Sequence, residues 1–560
     1  MKISVITVCF NAALCIEKTI KSVINQKYND FEYIIVDGKS TDGTIQIIEK
    51  YQSDISKWIS EPDNGIYNAM NKAVKMANGE YCIFMNAGDM FLNPLVLKQV
   101  SLFLEDGFDY LAGNEISVKN GKMIEYVCAP EKITTQLFVQ KSLSHQASFI
   151  KRQLLLQHPY DENLRMVSDW KFCIQTLIFE QATYRAIDVD VCKFNHEGIT
   201  FKQMNLGRKE RLEVLQELLP KEFETVCTHP TIFSRIKKRY KRKVEPLQKS
   251  VSNKLSNDWK TFHSIVSVLG VRAIPVVISK LIKGQVTNKI KHQAIIKFLD
   301  KKYAYVIHNN KEIEDKIIQI KDKYPIWVCW WQGEKFMPLL PKVCLQYLKR
   351  NLRDDQCLHL ITKDNFSEYV QLPQHTLHML NEGKISITNF SDILRFALLT
   401  EYGGLWIDAT CLTTNSLPNL SDYMFFTSKQ HNKGNHFVSQ YRWASYLIGG
   451  KTCCIFQNIR DLLYEYTTNE KAILDYFLLD YLIAEVYKEC KNAQLIIDQF
   501  PHDNYDILEM TKQLSKEYKE TLYNRLTSNG SIHKLNRKNK YPVYTENGLL
   551  TVWGSIIDKL

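Results

Sequence analysis

The sequence has no unbroken apolar run long enough to cross a bilayer. The best candidate, IVSVLGVRAIPVVISKLI, is interrupted by Arg272, Pro275 and Lys280, so a spanning segment is not expected. The start, MKISVITVCFN, lacks the longer apolar region and small-residue cleavage site of a signal peptide. The expected location is the cytoplasm. The 14 cysteines contain no C-x-x-C pair, and the adjacent Cys453 and Cys454 are poorly placed to bridge each other. Neither a zinc site nor a disulfide framework is expected, and most of these thiols read as core residues. No nucleic-acid reading module accompanies the one strongly basic stretch, RIKKRYKRK (235–243), and nucleic acid is not an expected partner. That stretch carries much of the formal charge of +11. It reads as a solvated helix face, or as a contact with a phosphate-rich acceptor or with anionic lipid at the inner face of the plasma membrane.

What is present is ordinary globular sequence, with 45% hydrophobic and 24% charged residues. At 560 residues it exceeds what one core supports, so two or three domains are expected. ISVITV and FEYIIVD read as strands. LCIEKTIKSVINQ between them reads as a helix, with Ile16, Ile20, Val23 and Ile24 on one face. IYNAMNKAVKMA repeats the pattern with Ile66, Met70, Ala73, Val74 and Ala77 before Gly79, and EYCIFM follows as a buried strand. This is repeated βαβ, hence an α/β fold with a mostly parallel, Rossmann-like sheet. Farther on, SHQASFI reads as a strand and SDWKFCIQTLIF as a helix with Ser168 as its N-cap. The βαβ pattern restarts at YPIWVCWWQG, and the helical SDILRFALLTEY is stopped by Gly403 and Gly404 before LWID. The expected division is a first domain over 1–230, a basic helical linker over 231–320 and a second domain over 321–560.

Asp37, Asp89 and Asp408 then fall just past strand ends, the edge at which open α/β sheets bind ligands. A carboxylate there needs solvent, hydrogen bonds or a cation. Mg²⁺ or Mn²⁺ bridging to a diphosphate would supply that partner and neutralise charge on a departing nucleotide. Taken singly, Asp89 or Asp408 reads as a turn residue rather than a functional one.

ITVCFN, IIVDGKSTDGT, SEPDNGIYNAMNKAVKMANGEY and FMNAGD together resemble the family 2 glycosyltransferases of GT-A fold, over roughly residues 1–200. The resemblance implies that Asp37 binds the uracil of a UDP-type donor and Asn11 lies beside the nucleoside. It further implies that Asp63 lines the donor pocket, Asp89 holds the metal and Asp169, in SDWKF, is the general base of an inverting transfer. As a helix residue alone, Asp169 would be a favourable N-terminal charge, and His145 in SHQASF would contact acceptor or diphosphate or make a structural hydrogen bond. The sequence departs from the family pattern at Gly38, where an acid commonly follows the first, and at Asn86 and Gly88 in NAGD.

IWVCWWQG, ISITNFSDILRFALLTEYGGLWIDAT, LDYFLLDYLI and IHKLNRK are similar to the capsular polysaccharide synthesis proteins, relatives of family 32 glycosyltransferases, over about residues 322–540. Asp392 and Arg395, three apart, share a helix face and would grip a sugar and its phosphate, or form a plain ion pair. Trp330 or Trp331 would offer a platform for a ring, or pack in the core. The resemblance implies that Asp408 is a metal ligand in a D-x-D turn whose third position here is Thr410. His533 and Lys534 would complete the metal and diphosphate contacts, and Asp480 would sit near the sugar or hydrogen-bond between helices. A retaining transfer of this kind needs no protein base.

The expected whole is a bifunctional glycosyltransferase of two GT-A-like domains using UDP-type donors and Mg²⁺ or Mn²⁺. It would act on a saccharide or lipid-linked saccharide acceptor of a capsular or other surface polysaccharide. The competing expectations are one active domain beside a carbohydrate-binding module, and nucleotidyl transfer.

Overall fold

A computed structural model describes residues 1–119, 122–195, 204–228, 268, 285–310, 313, 316–320, 322–429, 437–502, 506–528 and 530–560. The basic stretch 235–243 and, apart from Val268, the apolar run 265–282 lie outside these residues. Among the described residues no helix is long and apolar enough to cross a membrane. The chain divides into two α/β units. One comprises residues 1–239, 515–518 and 541–560, and the other residues 240–514 and 519–540.

In the first unit, β1 (Ile3–Cys9), β2 (Phe31–Asp37), β3 (Lys57–Ser60) and β4 (Tyr81–Phe84) are parallel, in the order β3-β2-β1-β4. All seven residues of β1 are buried. Its polar positions are tolerated there because Ser4 Oγ donates to Glu32 Oε1 at 2.6 Å and Thr7 Oγ1 donates to the Met85 carbonyl at 2.7 Å. The connecting helices are amphipathic, burying Ile16, Ile20 and Val23 on Ile16–Ile24 and Met70, Ala73 and Val74 on Ile66–Met76. Chain progress reverses at β1, so β2 and β4 flank it from opposite sides and open a switch point at their carboxyl ends. The sheet continues through β5 (Met90–Phe91), β6 (Tyr110–Lys119), β7 (Lys122–Val127), β8 (Ser148–Lys151) and β9 (Tyr184–Asn195), in the order β4-β8-β6-β9-β5 with β7 on β6. The helix expected from Ser168 runs over Ser168–Ile174, but Val167 occupies the cap position and the buried Ser168 Oγ has no hydrogen-bond partner.

The last twenty residues were expected in the second domain and instead belong to the first unit. Val552, Trp553, Ile556 and Ile557 on the helix Val552–Asp558 are buried, and this helix packs on the helix Val96–Leu104. Lys27 Nζ meets Asp558 Oδ2 at 2.7 Å. Residues 515–518 return with it, the Val552 amide donating to the Lys516 carbonyl at 2.9 Å.

In the second unit, β10 (Tyr324–Cys329), β11 (Gln356–Ile361) and β12 (Gly404–Ile407) are parallel. A ribbon of β13 (Cys411–Thr413) with a later strand lies beside them, and β14 (Phe425–Thr427) and β15 (Leu447–Gly450) complete the sheet antiparallel, in the order β11-β10-β12-β15-β14. The ribbon partner is β16 (Ile532–Lys534), which sets Cys411 opposite Lys534 and Leu412 opposite His533. Glycines at 403 and 404 lead into β12 because the backbone there has no room for a side chain. Gly404 has φ +96°, and a Cβ on it would lie 2.3 Å from the Pro325 carbonyl oxygen of β10. Gly404→Ala is expected to cost about 2–4 kcal/mol, the sum of left-handed strain and overpacking, read as a lower denaturant midpoint for this unit.

The helix Gln285–Asn309 was expected to be linker. It buries Ile295, Leu299, Tyr303 and Ile307, spaced for one helical face, in the core shared with the helices Cys453–Asn469 and Leu478–Glu489. On the last of these helices Glu485 is 2% exposed and neither of its carboxylate oxygens has a hydrogen-bond partner. Burial pushes its carboxyl from 4.5 up to about 7, with Lys488 opposing and Asp300 and Glu489 adding. The folded state therefore holds a proton that the unfolded state releases, so stability falls as pH rises from about 4.5 to 7. Glu485→Met is expected to add about 1–3 kcal/mol at pH 8 and to flatten that part of the profile, measured as melting temperature against pH beside the parent protein.

Candidate functional site

At the carboxyl edge of the first sheet, Asp37 pairs in register with Cys9 on one side and Ser60 on the other. It is fully buried. Its Oδ2 accepts from the Ser40 amide at 2.9 Å and Ser60 Oγ at 2.7 Å, and its Oδ1 accepts from Ser40 Oγ and Cys9 Sγ. The carboxylate expected to bind uracil is thus consumed in fixing the loop after β2, and leaves no exposed oxygen for a base. Asn11, at φ +49°, ties the loop after β1 to the same turn. Its amide donates to Ser40 Oγ at 2.7 Å, and its Oδ1 accepts from the Thr41 amide at 3.0 Å. Asp63 is held by the Gly65 amide at 2.9 Å, and its Oδ2 lies 2.5 Å from where a Cβ of residue 38 would be. A second acid after Asp37 would have to displace the Asp63 carboxylate, which occupies the space beside Gly38.

Beyond β4, the Ala87 amide donates to the Val8 carbonyl, carrying the turn Asn86–Asp89 alongside the end of β1. Thr19 Oγ1 clamps the turn, accepting from the Gly88 amide at 2.9 Å and donating to the Asp89 carbonyl at 2.8 Å. Burial pushes the Asp89 carboxyl from 3.8 up to about 7, against hydrogen bonds from the Asn195 amide and Gln146. In the same turn Asn86 Oδ1 is buried with no hydrogen-bond partner. A carboxylate short of a counter-charge next to an orphaned amide oxygen is a donor set that fits a hard divalent cation.

Asp169 stands in the first turn of Ser168–Ile174, half-buried, and accepts from the Tyr67 hydroxyl at 2.8 Å. Its charge reaches Tyr67, Tyr160, His145 and Arg211. His145 stacks on Phe84 with ring centres 4.8 Å apart and shares a 2.9 Å hydrogen bond with the Tyr160 hydroxyl, and burial lowers its pKa. It reads as the structural histidine. Tyr67 and Arg211 are members of this site that sequence reasoning did not single out. Tyr67 lies inside the motif GIYNAMNKA, a signal that could have found it, whereas Arg211 has none.

In the second unit, β12 delivers Asp408 to the sheet edge, its amide donating to the Tyr446 carbonyl at 3.0 Å. Oδ1 accepts from Trp406 Nε1 at 3.0 Å and lies 3.6 Å from Arg395 Nη2, and Oδ2 accepts from Lys534 Nζ at 2.6 Å. Burial works against ionisation of Asp408, but the Lys534 ammonium and the Arg395 guanidinium outweigh it and hold the carboxyl below the usual range. Arg395 is 4% exposed, with its guanidinium 4.8 Å from the Trp406 ring centre. Its Nη1 is 3.2 Å from Asp392 Oδ1, a distance of ion pairing, yet neither Nη1 nor Nε makes a well-aligned hydrogen bond. Burial pushes Asp392 up to about 7 and Asp480 up to about 6, with Arg395 opposing in both cases. Asp480 accepts from Trp443 Nε1 at 2.9 Å and lines a cleft with Lys291, His292, Phe437 and Phe477.

Trp330, at the end of β10, has a buried Nε1 with no hydrogen-bond partner. Trp331 packs on Phe366 and Phe390 in the core. Of the two candidates, Trp330 is the one whose indole N–H is left without a partner. His533 does not join Asp408 as expected. Residues alternate along β16, so with Lys534 facing Asp408, His533 turns to the other side and shares a 3.2 Å hydrogen bond with Thr414 Oγ1. There burial lowers its pKa to about 4. Among the described residues, the one group of three metal-capable side chains is Asp300, Glu485 and Glu489, which includes neither Asp89 nor Asp408.

Residues 4–128 match the family model described as glycosyl transferase family 2, and residues 275–552 match that described as capsular polysaccharide synthesis protein. An uncharacterized glycosyltransferase of Mycobacterium tuberculosis is 29% identical over 212 residues, covering 35% of this chain and 76% of the relative. The PGL/p-HBAD biosynthesis glycosyltransferase of Mycobacterium bovis is 27% identical over 201 residues, covering 35% of this chain and 77% of the relative. A UDP-Glc:alpha-D-GlcNAc-diphosphoundecaprenol beta-1,3-glucosyltransferase of Escherichia coli is 29% identical over 133 residues, covering 24% and 53%. Among solved structures, S. aureus TarS 1–349 with UDP-GlcNAc aligns at TM-score 0.34 and 21% identity, covering 57% of this chain and 95% of that one.

Proposed function

We propose that this glycosyltransferase, which carries a family 2 region and a capsular-synthesis region in one chain, makes two successive transfers from nucleotide-sugar donors onto a bacterial surface polysaccharide. The observation that carries the reading is shared by both units. Past a parallel strand end, a carboxylate sits beside buried polar atoms that lack partners within the protein: Asn86 Oδ1 in the turn of Asp89, and Arg395 Nε on the guanidinium that faces Asp408. Such atoms are costly unless a ligand satisfies them.

In the first unit Asp169 takes the proton of an acceptor hydroxyl. The oxygen bonds to the anomeric carbon as that carbon's bond to the donor phosphate breaks on the opposite face, inverting configuration. Tyr67 fixes the orientation of the carboxylate. Asn11, Asp37 and Asp63 shape the nucleoside edge by holding the loops after β1 and β2, with Asp63 the one of the two acids at the surface. Mg²⁺ or Mn²⁺ held by Asp89 and Asn86 would neutralise charge on the departing nucleoside diphosphate. In the second unit Arg395 and Lys534 hold the diphosphate, Trp330 takes the base or sugar ring and Asp392 orients Arg395. The donor's own phosphate oxygen accepts the acceptor proton, and configuration is retained. UDP-type donors and a lipid-linked saccharide acceptor are supported by the donor and acceptor of the Escherichia coli relative, and the basic stretch 235–243 suits an anionic lipid surface.

A second reading, in which the capsular-synthesis unit only binds saccharide, is favoured by the Lys534 contact that engages Asp408. The test is the purified full-length protein with a panel of nucleotide sugars and lipid-linked acceptors, reading nucleoside diphosphate release and the anomeric configuration of each product by NMR. Two linkages of opposite configuration are expected. A single linkage from every donor pair would leave the second reading standing.

A further inference from the structure

We infer that Lys534 takes, in the second unit, the place that a divalent cation holds in a D-x-D turn, so that sugar transfer there proceeds without metal. The inference rests on reading this unit as a transferase, and concerns how it stabilises its leaving group. In a metal-binding turn, the first and third side chains face one cation. Here they face one ammonium: Lys534 Nζ lies 2.6 Å from Asp408 Oδ2 and 2.8 Å from Thr410 Oγ1, with the Tyr446 ring centre 4.9 Å away. The threonine in the third position thereby has a reason. A second carboxylate would suit a doubly charged ion, whereas a hydroxyl suits a singly charged donor.

The ammonium is placed by backbone, not by chance of a long side chain. β13 and β16 pair Cys411 with Lys534, the Leu535 amide donates to the Thr410 carbonyl at 2.9 Å, and the Lys534 amide donates to the Ile507 carbonyl at 3.0 Å. Arg395 adds a second fixed cation 3.6 Å from the other oxygen of Asp408. A divalent ion entering beside Asp408 would have to displace Lys534 and stand against Arg395, with neither expected neighbour turned toward it, since His533 faces the opposite way and Asp392 is engaged with Arg395. The same two cations are what a departing diphosphate needs. Of the three ammonium N–H groups two are committed, leaving one for a phosphate oxygen, and the unpaired N–H groups of Arg395 offer more.

Manganese binding decides the matter without turnover. Bound Mn²⁺ per full-length chain is counted by electron paramagnetic resonance in the presence of UDP. Asp408→Asn is expected to bind as much Mn²⁺ as the parent protein, and the loss of one equivalent in that variant overturns the inference. In parallel, the full chain carrying Asp169→Asn is offered a panel of UDP-sugars with Mg²⁺ or with EDTA. UDP release is expected to persist within about twofold in EDTA, to fall about 10²–10³-fold on adding Lys534→Met, and to survive in part in Lys534→Arg, which keeps the cation and serves as the folding control. Release abolished by EDTA and restored by Mn²⁺ overturns the inference. Should no donor be turned over with or without metal, the transferase reading of this unit fails, and the manganese count still decides what stands beside Asp408.

Discussion

Asp169→Asn is expected to lower the inverting transfer by about 10²–10⁴-fold, the usual share of a positioned general base, while the retaining transfer continues. The amide is isosteric, and the Tyr67 hydroxyl can still donate to its oxygen, so the fold and the helix Ser168–Ile174 are expected to stay intact. The loss therefore falls on the rate constant for chemistry more than on donor binding, and the readout is kcat for the first linkage beside UDP affinity measured by calorimetry. Tyr67→Phe separates orientation from proton transfer. Removing one hydrogen bond of about 0.5–1.5 kcal/mol is worth about two- to tenfold in rate. If Asp169 were only a favourable charge on its helix, Asp169→Asn would cost about 0.3–1 kcal/mol of stability and leave the rate unchanged.

The largest stability effect is expected at Arg395. This buried guanidinium is the positive centre facing Asp392 and Asp408, and its charge also lowers the pKa of Asp480. Arg395→Met removes it and leaves the buried Asp392 uncompensated, while Asp408 keeps only Lys534, which costs about 3–5 kcal/mol, a large part of what holds a domain folded. Because the chain has two units, a single melting curve is a poor measure. Hydrogen exchange along the helix Ile387–Tyr402 reports the affected region directly, and protection there is expected to collapse first. Combining Arg395→Met with Asp392→Leu is expected to recover much of the loss, since an apolar pair replaces a buried ion pair at small net cost. Stability equal to that of the parent in Arg395→Met would mean that Asp392 is compensated by some other group.

Much of the framework is legible in the sequence, and the reason is local. Mostly apolar seven-residue runs give β1 and β2, helix faces repeat at 3.6, and Asp408 does follow its strand, whereas Asp37 is the last residue of β2 and Asp89 lies in the turn between β4 and β5. What the sequence hides is which atoms those acids are left with. Asp37 is satisfied by Ser40 and by Ser60, one strand farther on, and Asp408 is satisfied by Lys534, 126 residues away. Whether His533 or its neighbour reached Asp408 turned on a one-residue register between β13 and β16, which no local pattern specifies. The helix Gln285–Asn309 read as linker because it carries no strand pattern. Its face of Ile295, Leu299 and Tyr303 acquires meaning only from the helices Cys453–Asn469 and Leu478–Glu489 that cover it.

The return of residues 515–518 and 541–560 to the first unit means that the polypeptide is stitched rather than strung. Cutting it near residue 230 or 320 does not release a complete amino-terminal half. Such a fragment lacks the amphipathic plug of Val552, Trp553, Ile556 and Ile557, and bares the apolar strip that the plug seals on the helix Val96–Leu104. Testing the two proposed centres is therefore a task for point substitutions in the intact chain, and insolubility of a severed half would say nothing about whether that half can catalyse.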